Sequence, residues 1–133
     1  VSIVVDASVA LKWVLDEPGS DAAAALCDRE LIAPALWLVE ATNALWRSAG
    51  FGQITIGEAR ERLAELLVAP VATLPVEPYI EEALDLAAAI GHSVYDCLYL
   101  ALALRHNTHV VTADRRFAAA SQARTAGAVQ LLN

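Results

Sequence analysis

The sequence predicts an α/β domain in which helices cover both faces of a parallel sheet. Short β-branched runs alternate with helical segments along the whole chain, the order that βαβ crossovers produce. The runs Val1–Val5 and His109–Thr112 lack apolar/polar alternation, as expected of central strands buried on both faces. Each of these runs leads into an acid, Asp6 or Asp114. The carboxyl ends of parallel strands are where open α/β sheets build their sites.

The elements follow in order. Val1–Val5 is the first strand, and the apolar residues from Val9 to Val14 continue as a helix. Asp16-Glu17-Pro18-Gly19 is a turn. Ser20 or Asp21 caps a second helix reaching about Arg29, and Leu31–Ala33 is a brief strand closed by Pro34. Ala35–Ala49 is a helix whose apolar residues include Trp37, Leu38, Ala41, Leu45 and Trp46, with Gly50 and Gly52 ending it. Thr55 and Glu58 form a capping box for a helix over Ile56–Val68. Pro70 stops that helix, and Val71–Val76 is the third strand. Glu77-Pro78 opens a helix to Ile90, ended by Gly91. Ser93 opens another over Val94–Arg105. After the strand His109–Thr112, Asp114 begins a last helix to about Ala126. Gly127 then turns the chain into a final strand, Ala128–Leu132.

A length of 133 residues predicts one domain, 1–133, with room for a real core. The chain is 57% hydrophobic, and its mean hydropathy is +0.47. No membrane association is expected, because the longest apolar stretch, Ala83–Leu104, is broken by Asp85, Gly91, His92, Ser93 and Asp96. No signal peptide is recognisable. The excess of apolar residues is expected to cover an interface with another chain. Cys27 and Cys97 show neither CxxC nor Cys/His ligand spacing, which points to core thiols and a cytoplasmic location. A net charge of −7 argues against general nucleic-acid affinity, which rests on Lys and Arg. An acidic chain acts on phosphates when its carboxylates hold metal ions that supply the positive charge.

Four acids stand in apolar surroundings: Asp6, Glu40, Asp96 and Asp114. Asp6 and Asp114 also suit N-caps of the helices that follow them, and Ser93-x-x-Asp96 resembles a capping box. Glu40 sits too far inside its helix to cap anything. Asn43 and Arg47 share its face, so an internal contact with either is the structural alternative. If the helices flank the central strands, the four carboxylates converge in one crevice. Like charges so gathered raise one another's pKa unless a cation lies among them, and hard oxygen donors suit Mg²⁺ or Mn²⁺.

The segments VVDASVALKW, PALWLVEATNAL, HSVYDCLYLALAL and THVVTADRRF resemble the PIN-domain family, and among it the VapC-type toxins of bacterial toxin–antitoxin pairs. The similarity spans essentially the whole chain, with the motifs in family order and spacing. It implies a three-layer α/β/α sandwich around a five-stranded parallel sheet. It also implies a homodimer, Mg²⁺- or Mn²⁺-dependent endoribonuclease activity by water attack on the phosphodiester, and a cognate VapB-like antitoxin that blocks the acidic crevice. Asp6, Glu40, Asp96 and Asp114 match the family's acidic quartet. By that resemblance Asp6 and Asp96 are the principal metal ligands, while Glu40 and Asp114 bind more weakly or orient the attacking water. Ser8 and Thr112 fall where the family often has a supporting hydroxyl, a local turn or cap bond being the alternative. Asn43 matches a polar position beside the family's Glu.

For gripping RNA the candidates are Lys12, Arg47, Arg115 and Arg116, within one or two turns of the acids. His92, His106 and His109 show no triad spacing and are expected on the surface or in loops. A phosphoacceptor domain or aspartyl-nucleophile phosphatase also places an Asp after its first strand. Both need a lysine near a later strand, and the only lysine here is Lys12. A catalytically silent partner-binding module is the other alternative. Trp13, Trp37 and Trp46 suit a partner surface, although aromatics on amphipathic helices more often fill a core.

Overall fold

A computed structural model describes all residues from Val1 to Asn133. Its centre is a five-stranded sheet in the order β3-β2-β1-β4-β5, with every neighbouring pair parallel. The strands are β1 (Ile3–Val5), β2 (Leu31–Pro34), β3 (Val71–Leu74), β4 (Val110–Thr112) and β5 (Val129–Leu131). The helices are α1 (Ala7–Leu11), α2 (Ser20–Ala25), α3 (Leu36–Gly50), α4 (Ile56–Leu67), α5 (Ile80–Ile90), α6 (Val94–Arg105) and α7 (Arg115–Ser121). The first strand lies in the middle. From it the chain winds outward through β2 and β3, then crosses back to β4 and β5. The β1/β4 boundary, where Val4 pairs with Val110 and Val5 with Val111, is therefore the topological switch point. There the helices on either side diverge and leave a crevice beyond the strand ends.

The β-branched runs place side chains alternately on the two faces. Val4, Ile32 and Val110 face the larger apolar cluster, with Leu100 and Leu102 of α6 and Phe117 of α7. Ile3, Val5, Leu31 and Val111 face the smaller one, with Val9 and Ala23. Three layers result. Helix α6 is buried continuously from Cys97 to Ala103, as a helix apolar all round must be.

Several boundaries differ from the sequence expectation. Helix α1 stops at Leu11 because the next turn is held from outside it: the Trp13 indole donates to Ala23 O at 2.8 Å and Ser20 Oγ donates to Leu15 O at 3.0 Å. Helix α3 runs through Gly50, and Gly52, at φ 76°, makes the turn beyond it. Helix α5 is preceded by a separate 3₁₀ turn over Glu77–Tyr79. Helix α7 ends at Ser121 instead of continuing to Ala126. The Ser121 and Thr125 hydroxyls there donate to the carbonyls of Ala118 and Ser121 and compete with the helical ladder. Trp37 and Leu45 are buried as expected, whereas Trp46 is 65% exposed. The buried stripe of α3 is Trp37, Ala41 and Leu45, spaced by four, and Trp46 lies a further 100° around the helix. No single helix is long and apolar enough to cross a membrane.

Candidate active site

The crevice at the switch point is a cavity of about 530 Å³ whose wall includes Asp6, Glu40, Asp96 and Asp114. All four acids singled out in the sequence thus meet in one place. Ser8, Asn43 and Arg47 line the same cavity.

Asp6 ends β1 and caps α1, its Oδ1 accepting from Val9 N at 3.2 Å. Capping and site membership coexist, because the cap also turns the carboxylate toward the strand ends. Ser8 Oγ donates to Oδ1 at 2.5 Å, and Thr112 Oγ1 donates to Oδ2 across the β1/β4 boundary. The Ser8 oxygen in turn accepts from Ala113 N at 2.9 Å, and Thr112 Oγ1 accepts from Asp114 N at 3.0 Å. The two hydroxyls therefore bind the ends of β1 and β4 together as well as holding the acid. Asp6 is only 5% exposed. Its pKa is pushed up to about 6 by burial, opposed by the Ser8, Thr112 and Val9 bonds and reinforced by the charge of Asp96.

Glu40, on α3, accepts from the Tyr99 hydroxyl at 2.6 Å. This is the partner that the sequence left open, and it is neither Asn43 nor Arg47. Tyr99 itself is fully buried in α6. Burial raises Glu40 above the ordinary carboxylate range despite the Tyr99 bond, and the charges of Asp96 and Asp6 add to the rise. Tyr99 is not among the sequence-predicted site residues, although a phenol three residues after Asp96, on the part of the helix that is otherwise apolar, is a readable signal.

Asp96 lies in the first turn of α6, where its N–H donates to Ser93 Oγ at 3.3 Å. Its side chain does not return to the Ser93 amide as a capping box requires. Instead Oδ2 lies 2.6 Å from His92 Nε2. His92 lies in a loop as expected, but it is half-buried and paired with Asp96, and its i,i+4 spacing to that acid is the available signal. Its ring stacks on Phe117 with centroids 5.2 Å apart. Asp114 caps α7, Oδ1 accepting from Arg116 N at 2.9 Å and Phe117 N at 3.2 Å. Ligand atoms of His92, Asp96 and Asp114 lie within 4.8 Å of one another.

The cations divide. Arg47 lines the acid cavity, and Arg116 lines an adjoining groove with Gly91, His92, Ser93 and Asp114. Lys12 is instead held by Pro18 O at 2.8 Å and Glu17 at 3.3 Å. With Arg115 it lines a different hollow, between the α1–α2 turn and the end of β5. The early end of α1 is the reason: Lys12 lies past the helix, on the side facing Pro18 and Gly19.

The donor set fits a hard divalent cation. It consists of carboxylate groups, one of them, Asp6, almost wholly buried; Asp6 and Glu40 are held above their ordinary pKa by burial first and then by the charge of neighbouring acids, Asp96 in both cases. A cation placed among them relieves that repulsion.

A parallel sheet in the 3-2-1-4-5 order with acids gathered at its switch point defines a class. The chain belongs to the PIN-domain family, whose model matches residues 3–122. Within it, the chain is 36% identical over 123 residues to Ribonuclease VapC3 of Pyrobaculum aerophilum, covering 89% of this chain and 93% of that protein. Among solved structures it is similar to PAE2754 from Pyrobaculum aerophilum, with a TM-score of 0.75 and 28% identity over 98% of this chain and 83% of that one. It also shares its fold with VapBC2 from Rickettsia felis bound to a DNA fragment from their promoter, at a TM-score of 0.69 and 11% identity over 100% of both chains.

Proposed function

We propose that the chain is the endoribonuclease toxin of a VapBC-type toxin–antitoxin pair, acting in the cytoplasm on RNA phosphodiester bonds with Mg²⁺ or Mn²⁺. The observation that carries this is the convergence of Asp6, Glu40, Asp96 and Asp114 on one cavity. The ribonuclease name of the VapC3 relative supports the same chemistry. Asp6 and Asp96 would be the main metal ligands, with Glu40 and Asp114 completing the set. When bound, a divalent ion supplies positive charge against the phosphate and acidifies the attacking water.

The chain's own residues do the rest. Ser8 and Thr112 fix both oxygens of Asp6, so the carboxylate is oriented before an ion arrives. Tyr99 fixes Glu40 against the cavity. Glu40, lifted above the usual carboxylate range by burial and not assigned as a main metal ligand, would take a proton from the attacking water. Arg47 faces the incoming phosphate, and Asn43 offers an amide to the RNA backbone. Arg116 extends the cationic contact along the adjoining groove.

A VapB-like antitoxin and a homodimeric assembly belong to the same proposal. Support for partners comes from the apolar side chains left exposed on α3 and α4, Val39, Trp46 and Leu67 among them, at a hollow shared by the two helices.

The test is cleavage of total RNA by purified protein with Mg²⁺, with Mn²⁺ and with EDTA. Discrete fragments that disappear with EDTA are expected, and their mapped ends would define the target. Intact RNA in every condition, from protein shown to be folded, would point instead to a catalytically silent partner-binding module.

A further inference from the structure

The loop between α5 and α6 is only Gly91-His92-Ser93, and each residue has a separate task. Gly91 takes a left-handed conformation, φ 68°, that ends α5. Ser93 caps α6. His92, between them, is fixed from two sides. Its ring lies nearly flat on Phe117, the planes 21° apart, and Phe117 is completely buried. Its Nε2 meets Asp96 Oδ2 at 2.6 Å, the separation of a charge-assisted hydrogen bond. An ionised carboxylate only accepts, so Nε2–H is the donor. Oδ1 of Asp96 has no hydrogen-bond partner in the protein.

The geometry points to His92 as a positioning residue for Asp96, holding Oδ2 so that Oδ1 is presented to a divalent ion. This deepens the proposed function and rests on it. A carboxylate in the first turn of a helix turns freely about its last bond. One donor on one oxygen removes that freedom and fixes the direction of the other. Partners of this kind, one step out from the ion, tune affinity because they orient the ligand. The ring contact adds a second link. Phe117 N–H is capped by Asp114 Oδ1 at 3.2 Å, so the His92–Phe117 stack sets the Asp96 turn against the Asp114 turn. The aromatic contact thereby links the turns that carry the two acids.

The test separates the hydrogen bond from the packing. His92→Phe keeps an aromatic ring on Phe117 and removes the donor, whereas His92→Gln removes the ring and keeps a donor at similar reach. Mn²⁺ binding is measured by calorimetry and by pulsed EPR, and the thermal midpoint is measured in EDTA. The expected result is Mn²⁺ affinity about 10–100-fold weaker in His92→Phe, with its metal-free thermal midpoint close to wild type. His92→Gln should recover affinity to within about threefold of wild type. No directly coordinated nitrogen should appear in the EPR spectrum of the wild type. Equal Mn²⁺ affinity in His92→Phe and wild type would overturn the assignment. So would a coordinated-nitrogen signal lost in both variants, since His92 would then be a ligand itself. Wild-type protein that takes up no Mn²⁺ would overturn the proposed function and this inference with it.

Discussion

Asp6→Asn is expected to lower RNA cleavage by on the order of 10³-fold and at the same time to stabilise the metal-free protein. The two effects share one cause. Asp6 is 5% exposed, and its pKa stands at about 6 against an ordinary 3.8. At neutral pH the fold therefore holds a buried negative charge that it disfavours. Asparagine keeps the shape and removes the charge. Its oxygen accepts from Ser8 or Thr112, and its amide donates to whichever hydroxyl turns its lone pair inward. A gain of about 1–2 kcal/mol in unfolding free energy is expected at pH 7, since part of the benefit is lost in rearranging two donors. Urea unfolding in EDTA measures it beside the cleavage assay. An Asn variant less stable than wild type at pH 7 would show that the carboxylate serves the fold and not a cation.

The second large effect is the pH dependence of the metal-free protein. Below pH 3.8 Asp6 is protonated in both folded and unfolded chains and costs nothing. Between 3.8 and about 6 the unfolded chain releases the proton that the folded chain still holds. Stability contributed by this group therefore falls as pH rises through that window, by about 3 kcal/mol in all. Glu40, raised by burial and by the same neighbours, acts with the same sign. Subtracting the Asp6→Asn stability from that of wild type at each pH isolates the Asp6 share, and that difference should fall from pH 4 to pH 6.5, leaving the variant the more stable protein at the upper end. Mn²⁺ at about 100 times its Kd should restore about 2.7 kcal/mol at pH 7.5. Much less is expected at pH 5, where protons compete for the same oxygen. A stabilisation by Mn²⁺ that is equal at both pH values would place the ion away from Asp6.

Much of this was legible in the sequence because local chemistry and fold agree. The unalternating Val-rich runs became central strands, and the Thr55/Glu58 capping box formed with both its bonds. The four acids were visible as charges in apolar surroundings, and the switch point brought them together. What escaped depends on long-range contact or on where a turn directs a side chain. Tyr99 reaches Glu40 across 59 residues, and only the folded sheet, with α3 and α6 at the same strand ends, creates that pair. His92 lacks triad spacing, although its target lies four residues on. Lys12 stands in sequence beside the site, but the turn after α1 carries it to another hollow. The exposure of Trp46 follows from a rotation of α3 that the apolar residues of that helix do not determine by themselves.

The central place of β1 has a consequence for the order of events during synthesis. Asp6 leaves the ribosome before the hydroxyl that holds its second oxygen, which belongs to Thr112, 106 residues later. Strand β1 has one neighbour made early, β2, and one made late, β4. Contacts of such long sequence separation form only once both partners are available. A nascent chain that has not yet delivered β4 holds Asp6 without its partner strand, without Asp114 and without a closed cavity. On the proposed function, cleavage is thus withheld until β4 and Asp114 have been made, and a chain stopped before them lacks a complete site.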